Sequence, residues 1–365
     1  MRIAVDGYEL NSEFTGVGRF LKNLIFSIAK IDKNNSYTLF LREEFDIGKE
    51  HLNIIKIVLR SKKSYTKWQN SNLIKALNSG GFDLFFSPNH SIPFFYKGNS
   101  LMTIPDVSWR GVPEDFSVKE RFTRDIKTKF SIKKCPLIFT ISEFSKSEII
   151  KYYNTPSKKI VPVHLGIEDK FKRIGKKETD DFRKKYNLGN GKLIGFLGSM
   201  FKRRHIEDII DAFDILKRNR DIKLILIGAN RYNRKLKGLN GSNIIHLDRI
   251  QEEEINSFYS SLNLFIYLSD YEGFGFPPLE ALSCKTPSLL LNTSSLGEVY
   301  KDLAFFINNT KPQCLSKKIC EILESGKSET DRYLEEFIRR KDYFSWERSA
   351  GEFLNHFNNI MDDNR

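Results

Sequence analysis

Short apolar runs alternate with helical patterns along almost the whole chain, and they do so in two separate series. The first series holds RIAVD (2–6), YTLFL (37–41), IIKIVL (54–59), FDLFFS (82–87), SLMTIP (100–105), PLIFTIS (136–142) and IVPVHL (160–165). Helical periodicity separates several of them, over Val17–Ile31, Tyr65–Asn78, Ser117–Lys134 and Glu143–Tyr153. The second series holds KLIGFLG (192–198), IKLILIG (222–228), NIIHL (243–247), LFIYLS (264–269), PSLLLN (287–292) and AFFIN (304–308). Its helical stretches are 205–219, 252–262, 277–285 and everything from about Gln313 onward. Strands spaced by crossover helices make parallel sheets. The pattern therefore predicts an α/β protein of two Rossmann-like, doubly wound domains facing across a cleft, with ligand beyond the carboxyl ends of the strands. Residues 168–190, charge-rich and punctuated by Gly175, Gly189 and Gly191, read as a surface crossing between the two.

Length agrees with two domains, since 365 residues is about twice the usual domain size. The chain is 40% hydrophobic and 29% charged, close to ordinary globular values, which argues against long disorder. No run of about 18 apolar residues occurs, so no spanning helix is expected. The start, MRIAVDGYEL, reads as a first strand rather than a signal peptide. Cys135, Cys284, Cys314 and Cys320 form no C-x-x-C pair, so reduced thiols in a cytoplasmic protein are expected.

The net charge is +13, and the first 170 residues carry nine of those charges. An acidic partner for that half is expected: nucleic acid, an anionic membrane surface or a phosphate-bearing substrate. Two segments stand out. LRSKKSYTKWQNSNLIKAL (59–77) interleaves Lys62, Lys63 and Lys67 with Tyr65 and Trp68. VKERFTRDIKTKFSIKK (118–134) sets Arg121, Arg124, Lys127 and Lys129 on a helical pattern with Phe122 and Phe130. Basic helices with aromatic anchors suit an anionic membrane surface. A nucleic-acid partner would leave the acidic motif described next unexplained.

That motif is Asp270-Tyr271-Glu272-Gly273-Phe274-Gly275-Phe276-Pro277-Pro278-Leu279-Glu280, directly after the apolar run LFIYLS. Glu272 falls on the loop at the strand's carboxyl end. Pro277 and Pro278 suit a helix start, where a missing N–H costs nothing, and Glu280 is expected in that helix's first turn. Gly273 and Gly275 let the backbone approach a ligand. Two carboxylates accept from vicinal hydroxyls, and amides at a helix start suit phosphate. A sugar nucleotide presents both groups.

The chain resembles glycosyltransferase family four, retaining enzymes of the GT-B fold, whose E-x7-E signature is matched by Glu272 and Glu280. TGVGRF (15–20), FTISEFSKSEI (139–149), KKIVPVHLGIEDKF (158–171), FLGSMFKRRHIEDIIDAF (196–213), SSLGEVYKD (294–302) and FSWERSA (344–350) agree with other family segments in order along nearly the whole chain. The resemblance implies an N-terminal acceptor-binding domain over 1–166 and a C-terminal nucleotide-sugar-binding domain over 167–344. A last helix, about 345–365, packs back on the first domain.

It also implies residue roles. Glu280 would hold the ribose hydroxyls, and Glu272 would contact the transferred sugar or lie close to its reacting carbon. Amides around Phe274, Gly275 and Phe276 would meet sugar hydroxyls and the diphosphate. Arg203 and Arg204 stand as the family's basic pair and would neutralise the departing diphosphate. Gly16 and Gly18 would let a loop of the first domain approach the same group.

The chain contains no Asp-x-Asp and no metal-ligand spacing, so metal-independent transfer without a cofactor is expected. One departure is Pro105, which stands where the family commonly has histidine before Asp106. Proline donates no hydrogen bond. His90, at a neighbouring strand end, is a candidate substitute, and Asp106 could orient the acceptor hydroxyl.

The function implied is a retaining hexosyltransferase, peripheral on the inner face of the cell membrane. It would move a hexose from a nucleotide-sugar, with mannose from GDP-mannose the first donor to try, to a polyprenyl-diphosphate-linked or surface-polysaccharide acceptor. The rival readings are an inactive nucleotide-sugar-binding scaffold and a GT-B nucleotide-sugar epimerase.

Overall fold

The structure is a computed structural model and describes residues 1–12, 16–46, 52–217, 221–232, 236–239, 241, 243–325 and 327–362. Thr15 of the glycine segment, residues 218–219 of the helix expected over 205–219, and residues 363–365 of the last helix lie outside the described residues. The chain divides into two compact units: Met1–Gly166 with Asp342–Arg365, and Ile167–Lys341.

The N-terminal unit runs β1 (Arg2–Asp6), α1 (Gly16–Ile31), β2 (Ser36–Leu41), β3 (Ile54–Val58), α2 (Tyr65–Trp68), α3 (Ile74–Gly80), β4 (Leu84–Ser87), β5 (Ser100–Thr103), α4 (Ser108–Gly111), α5 (Val118–Lys134), β6 (Ile138–Thr140), α6 (Glu143–Tyr153) and β7 (Ile160–Pro162). Its seven strands lie in the order β3-β2-β1-β4-β5-β6-β7, every pair parallel. The chain winds one way from β1 to β3 and the other way from β4 to β7. The β1–β4 junction is therefore the switch point where loops diverge and leave room for ligand. The apolar runs are fully buried where they form central strands, as in β4 and β5. The helix expected over Tyr65–Asn78 is present, with a π-helical turn at Gln69–Leu73 between α2 and α3.

The C-terminal unit runs α7 (Lys176–Lys185), β8 (Lys192–Leu197), α8 (Ile206–Leu216), β9 (Ile222–Ile227), β10 (Ile244–Leu247), α9 (Ile255–Ser261), β11 (Leu264–Tyr267), α10 (Phe276–Ser283), β12 (Ser288–Leu291), α11 (Ser294–Val299), β13 (Phe305–Ile307), α12 (Pro312–Glu324) and α13 (Lys327–Arg339). The six strands lie in the order β10-β9-β8-β11-β12-β13, again all parallel. Here the switch point falls between β8 and β11. Helix α7 corrects the reading of 168–190 as a bare crossing. Its sequence, KKETDDFRKK, buries only Phe182, so no apolar stripe announces it. It forms because Phe182 packs on Phe258 of α9 (centroids 6.4 Å). Arg183 also donates to the carbonyls of Gly189, Gly191 and Ser261 at 2.9, 3.0 and 2.7 Å. Glu178 near its start and Arg183, Lys184 and Lys185 near its end complement the helix dipole.

From Asp342 the chain is again part of the first unit and ends in α14 (Trp346–Asp362). Phe353 of α14 lies 4.1 Å from Phe139, 5.9 Å from Phe86 and 6.1 Å from Phe20, centroid to centroid. Arg348 and Ser349 both donate to the His164 carbonyl at 2.7 Å.

Candidate active site

The two segments flanking the β8–β11 switch point carry the arginine pair and Glu272. After β8 the chain turns at Gly198, whose φ of +143° a side chain would resist. A Cβ there would sit 2.6 Å from Arg204 Nη1, so glycine makes the room that the guanidinium occupies. Arg204 Nη1 donates to the Ser199 carbonyl at 2.9 Å. Its Nε and Nη2 donate to Glu272 Oε1 at 3.1 and 3.0 Å, and its guanidinium lies over the Tyr267 ring at 5.2 Å. Tyr267 Oη and Ser269 Oγ donate to the same Oε1 at 3.1 and 2.9 Å. Oε2 takes part in none of these bonds.

Both partners of this ion pair are largely buried, with side chains 12% and 13% exposed. Burial pushes the Glu272 carboxyl up. The charges of Arg204 and Arg203 and the Ser269 hydroxyl outweigh it, so Glu272 stays below the usual range and ionised. Its backbone is fixed as well: Glu272 N–H donates to Ser294 Oγ at 3.1 Å and Ser295 Oγ donates to the Glu272 carbonyl at 2.7 Å. Arg203 places its guanidinium 4.6 Å from the Phe201 ring centroid, and its carbonyl accepts from Asp270 N–H at 3.0 Å.

The next turn starts α10. Gly275 takes φ +92°, and a Cβ there would meet Leu296 Cδ2 at 2.8 Å. Its carbonyl accepts from the buried Tyr300 hydroxyl. Phe274 is buried and lies 5.7 Å from Phe276. Because Pro277 and Pro278 lack N–H groups, Phe276 and Leu279 supply the amides of the first turn. Glu280 is the fifth residue of α10 and so lies in its second turn, which corrects the first-turn expectation. Its carboxylate is buried and accepts from Tyr259 Oη of α9 at 2.7 Å.

The remaining candidates belong to the N-terminal unit. Gly16 and Gly18 lie inside α1 rather than on a loop. Neither has positive φ, and a Cβ at Gly16 would meet nothing within 4 Å. Asp106 Oδ1 accepts from Ser108 N–H at 2.8 Å at the start of α4. His90 is buried, 5.1 Å from the Trp109 ring, and bonded through Nδ1 to Asn89. Burial and the nearby Arg124 and Lys127 push its pKa down to about 3, so it is neutral.

At this unit's own switch point, Asp6 accepts from Tyr65 Oη at 2.9 Å, Tyr8 N–H at 3.1 Å and Gln69 Nε2 at 3.3 Å. Burial pushes its pKa up to about 7 against those bonds, with Glu9 adding to the rise. Glu9 is raised too, by burial, and accepts from Asn89 at 3.4 Å. Among the described residues no group of three or more His, Cys, Asp or Glu is placed to hold a metal.

Residues 178–341 match the family described as glycosyl transferases group 1, a stretch that takes in most of the C-terminal unit. The chain is 27% identical over 281 residues to O-antigen chain mannosyltransferase B of Escherichia coli, covering 74% of this chain and 73% of that one. Among solved structures, sucrose-phosphate synthase of Thermosynechococcus elongatus superposes with a TM-score of 0.77 at 16% identity over all of both chains. HepE of Anabaena, solved with UDP-glucose, superposes with a TM-score of 0.75 at 14% identity, over 98% of this chain and 100% of that one. The chain has the GT-B fold and resembles bacterial mannosyltransferases.

In the C-terminal unit Glu272 and Arg204 meet directly, with Arg203 close enough to act on the same carboxylate. Tyr267, Ser269, Ser294 and Ser295, which hold Glu272, carried no signal strong enough to single them out. Tyr267 looks like one more apolar strand residue, and the serines look like ordinary turn formers. Asp6 was hidden in the same way, as the last letter of a strand.

The basic segments also change meaning. Trp68 is fully buried and Tyr65 bonds Asp6, so 59–77 offers no aromatic face. In α5, Arg124 stacks on Trp109 and Phe116, Lys127 bonds Thr66, and Phe130 packs on Phe94. No helix of the described residues is long and apolar enough to cross a membrane.

Proposed function

We propose that this protein transfers a hexose from a nucleotide-sugar to a growing surface glycan with retention of configuration and without a metal. Mannose from GDP-mannose is the first donor to test, and a polyprenyl-diphosphate-linked chain the first acceptor. The observation that carries the reading is the buried Arg204–Glu272 pair at the β8–β11 switch point of the unit that matches group 1 glycosyl transferases. The names of the relatives support it: an O-antigen mannosyltransferase by sequence and a UDP-glucose complex by structure.

In this reading Arg203 and Arg204 face the diphosphate and stabilise the charge that develops on it as the glycosidic bond breaks. Glu272, with Oε1 committed to Arg204, Tyr267 and Ser269, offers Oε2 to a sugar hydroxyl. The amides at the start of α10 take the remaining hydroxyl and phosphate oxygens, and Glu280 the ribose. The departing phosphate oxygen accepts the proton of the acceptor hydroxyl on the face it has just left, and Asp106 orients that hydroxyl. The two guanidinium groups supply charge that a divalent cation would otherwise bring.

The test is a thermal-shift panel of nucleoside diphosphates and their sugars, followed by transfer assays on the donor that binds. Expected are stabilisation by one nucleotide class, α-configured product from an α-configured donor, and full activity in excess EDTA. Inverted product or a strict Mg²⁺ or Mn²⁺ requirement would overturn the mechanism. Donor binding without turnover across many acceptors would favour a scaffold, and free epimerised donor an epimerase.

The same reading places the enzyme against an anionic lipid surface through α5. Val118, Phe122 and Ile126, one turn apart, are 77%, 67% and 46% exposed, with Lys119, Lys129 and Lys133 exposed on the same helix. Flotation with phosphatidylglycerol vesicles should recover the wild type and lose Phe122→Asp. No association of the wild type would remove this part of the proposal.

A further inference from the structure

His205 sits between the arginine pair and α8, and three features set it apart. Its backbone is left-handed, φ +52° and ψ +35°, a region that favours glycine. Its Nδ1 lies 2.8 Å from Asp208 Oδ2 in the first turn of α8. Its Nε2 lies 2.9 Å from Asp270 Oδ1 on the loop that leads to Glu272. Asp270 N–H already donates to the Arg203 carbonyl at 3.0 Å. Asp270 is thus tied by its backbone to Arg203 and by its side chain to His205, while Arg204 bonds Glu272 two residues further on.

A carboxylate only accepts hydrogen bonds. With one at each ring nitrogen, the imidazole satisfies both only when it carries two N–H groups, which is the protonated form. Neutral imidazole keeps one N–H, and its other nitrogen then sets a lone pair against a carboxylate. The bridge is whole when His205 is charged and half-made when it is not.

We propose that His205 is a positioning residue that clamps the Arg203–Arg204 turn to the Glu272 loop, so that donor diphosphate binding weakens as His205 loses its proton. This rests on the reading of Arg203 and Arg204 as the diphosphate contacts. Asp208 on its own helix and Asp270 from the neighbouring loop are the charged groups that set its ionisation. Burial opposes the proton, but the two carboxylates outweigh it and hold the pKa above the ordinary histidine value. The sign follows: the clamp is complete at low pH and opens as pH rises through that raised value.

The test compares the full-length wild type with His205→Gly and Asp270→Asn, using calorimetric titration with GDP and UDP from pH 6 to 9. Glycine suits the left-handed backbone, so His205→Gly removes the bridge without straining the turn. Expected are a wild-type affinity that falls with rising pH, and a roughly tenfold weaker, pH-flat affinity in His205→Gly, the equivalent of one charge-assisted hydrogen bond. Asp270→Asn keeps an acceptor oxygen but removes the charge, so the inflection should move to lower pH. If the double variant is no weaker than the weaker single one, the two side chains act as a pair. Wild-type affinity and pH profile retained in His205→Gly would overturn this inference and leave the donor site standing. No binding of either nucleotide by the wild type, across the whole pH range, would overturn both.

Discussion

Glu272 owes its ionised state to neighbours rather than to solvent. A buried carboxylate without Arg204 would be driven toward its neutral form. Cutting the pair leaves Arg204 buried alone, at a cost of about 3–5 kcal/mol. Glu272→Ala therefore confounds stability with chemistry, whereas Glu272→Gln keeps the shape and an acceptor oxygen. The expected outcome for Glu272→Gln is a kcat/KM at least ~100-fold lower, the effect of one lost electrostatic contact in a transition state, with a smaller loss of Tm than in Glu272→Ala. Unchanged kcat/KM would remove Glu272 from the reaction.

Asp6 presents the opposite case, an acid that the fold holds near neutrality at about 7. Because its folded value is raised, its contribution to stability is complete below the unfolded value near 4. It is lost as pH rises toward 7. Asn at position 6 titrates nothing. The Tm difference between Asp6→Asn and wild type should therefore shift in favour of the variant between pH 4 and pH 8, by the equivalent of about 2–4 kcal/mol. Thermal melts across that range check it, and a pH-independent difference would show that Asp6 is already ionised at low pH.

At the scale of elements, the site depends on how segments begin and end. Helix α10 starts where it does because Gly275 alone in that run takes positive φ and because two prolines accept a first-turn position. Gly275→Ala should cost about 1–3 kcal/mol, from the left-handed backbone and the push on Leu296, and weaken nucleotide binding in parallel. Equilibrium denaturation and titration of the same preparation would show both or refute the link.

The element boundaries were largely legible because parallel strands buried on both faces read as unbroken apolar runs. Helix α7 was not, since one buried phenylalanine leaves no period to detect. The first-turn placement of Glu280 failed by a single turn. The helix begins at Phe276, immediately after the glycine, so four residues precede the glutamate.

At the scale of the molecule, the last helix completes the first unit. Phe353 is fully buried among Phe20, Phe86 and Phe139, residues brought from α1, β4 and β6. Phe353→Ala should destabilise the N-terminal unit by about 3–5 kcal/mol. Nucleotide-dependent stabilisation should persist in the C-terminal unit, seen by calorimetry as one shifted and one unshifted transition. A uniform shift of both would show that the two units unfold as one.

The amino-acid order by itself determined the two parallel sheets, the acidic motif and the basic pair. Each of these is local: a run of apolar residues, a spacing of glutamates, adjacent arginines. The tertiary structure alone decided which charges meet. Arg204 reaches Glu272 across 68 positions of sequence because β8 and β11 are neighbours at the switch point. His205 is tied to Asp270 for the same reason. Strand order in a sheet is set by how crossovers pack on both faces, which no local pattern encodes.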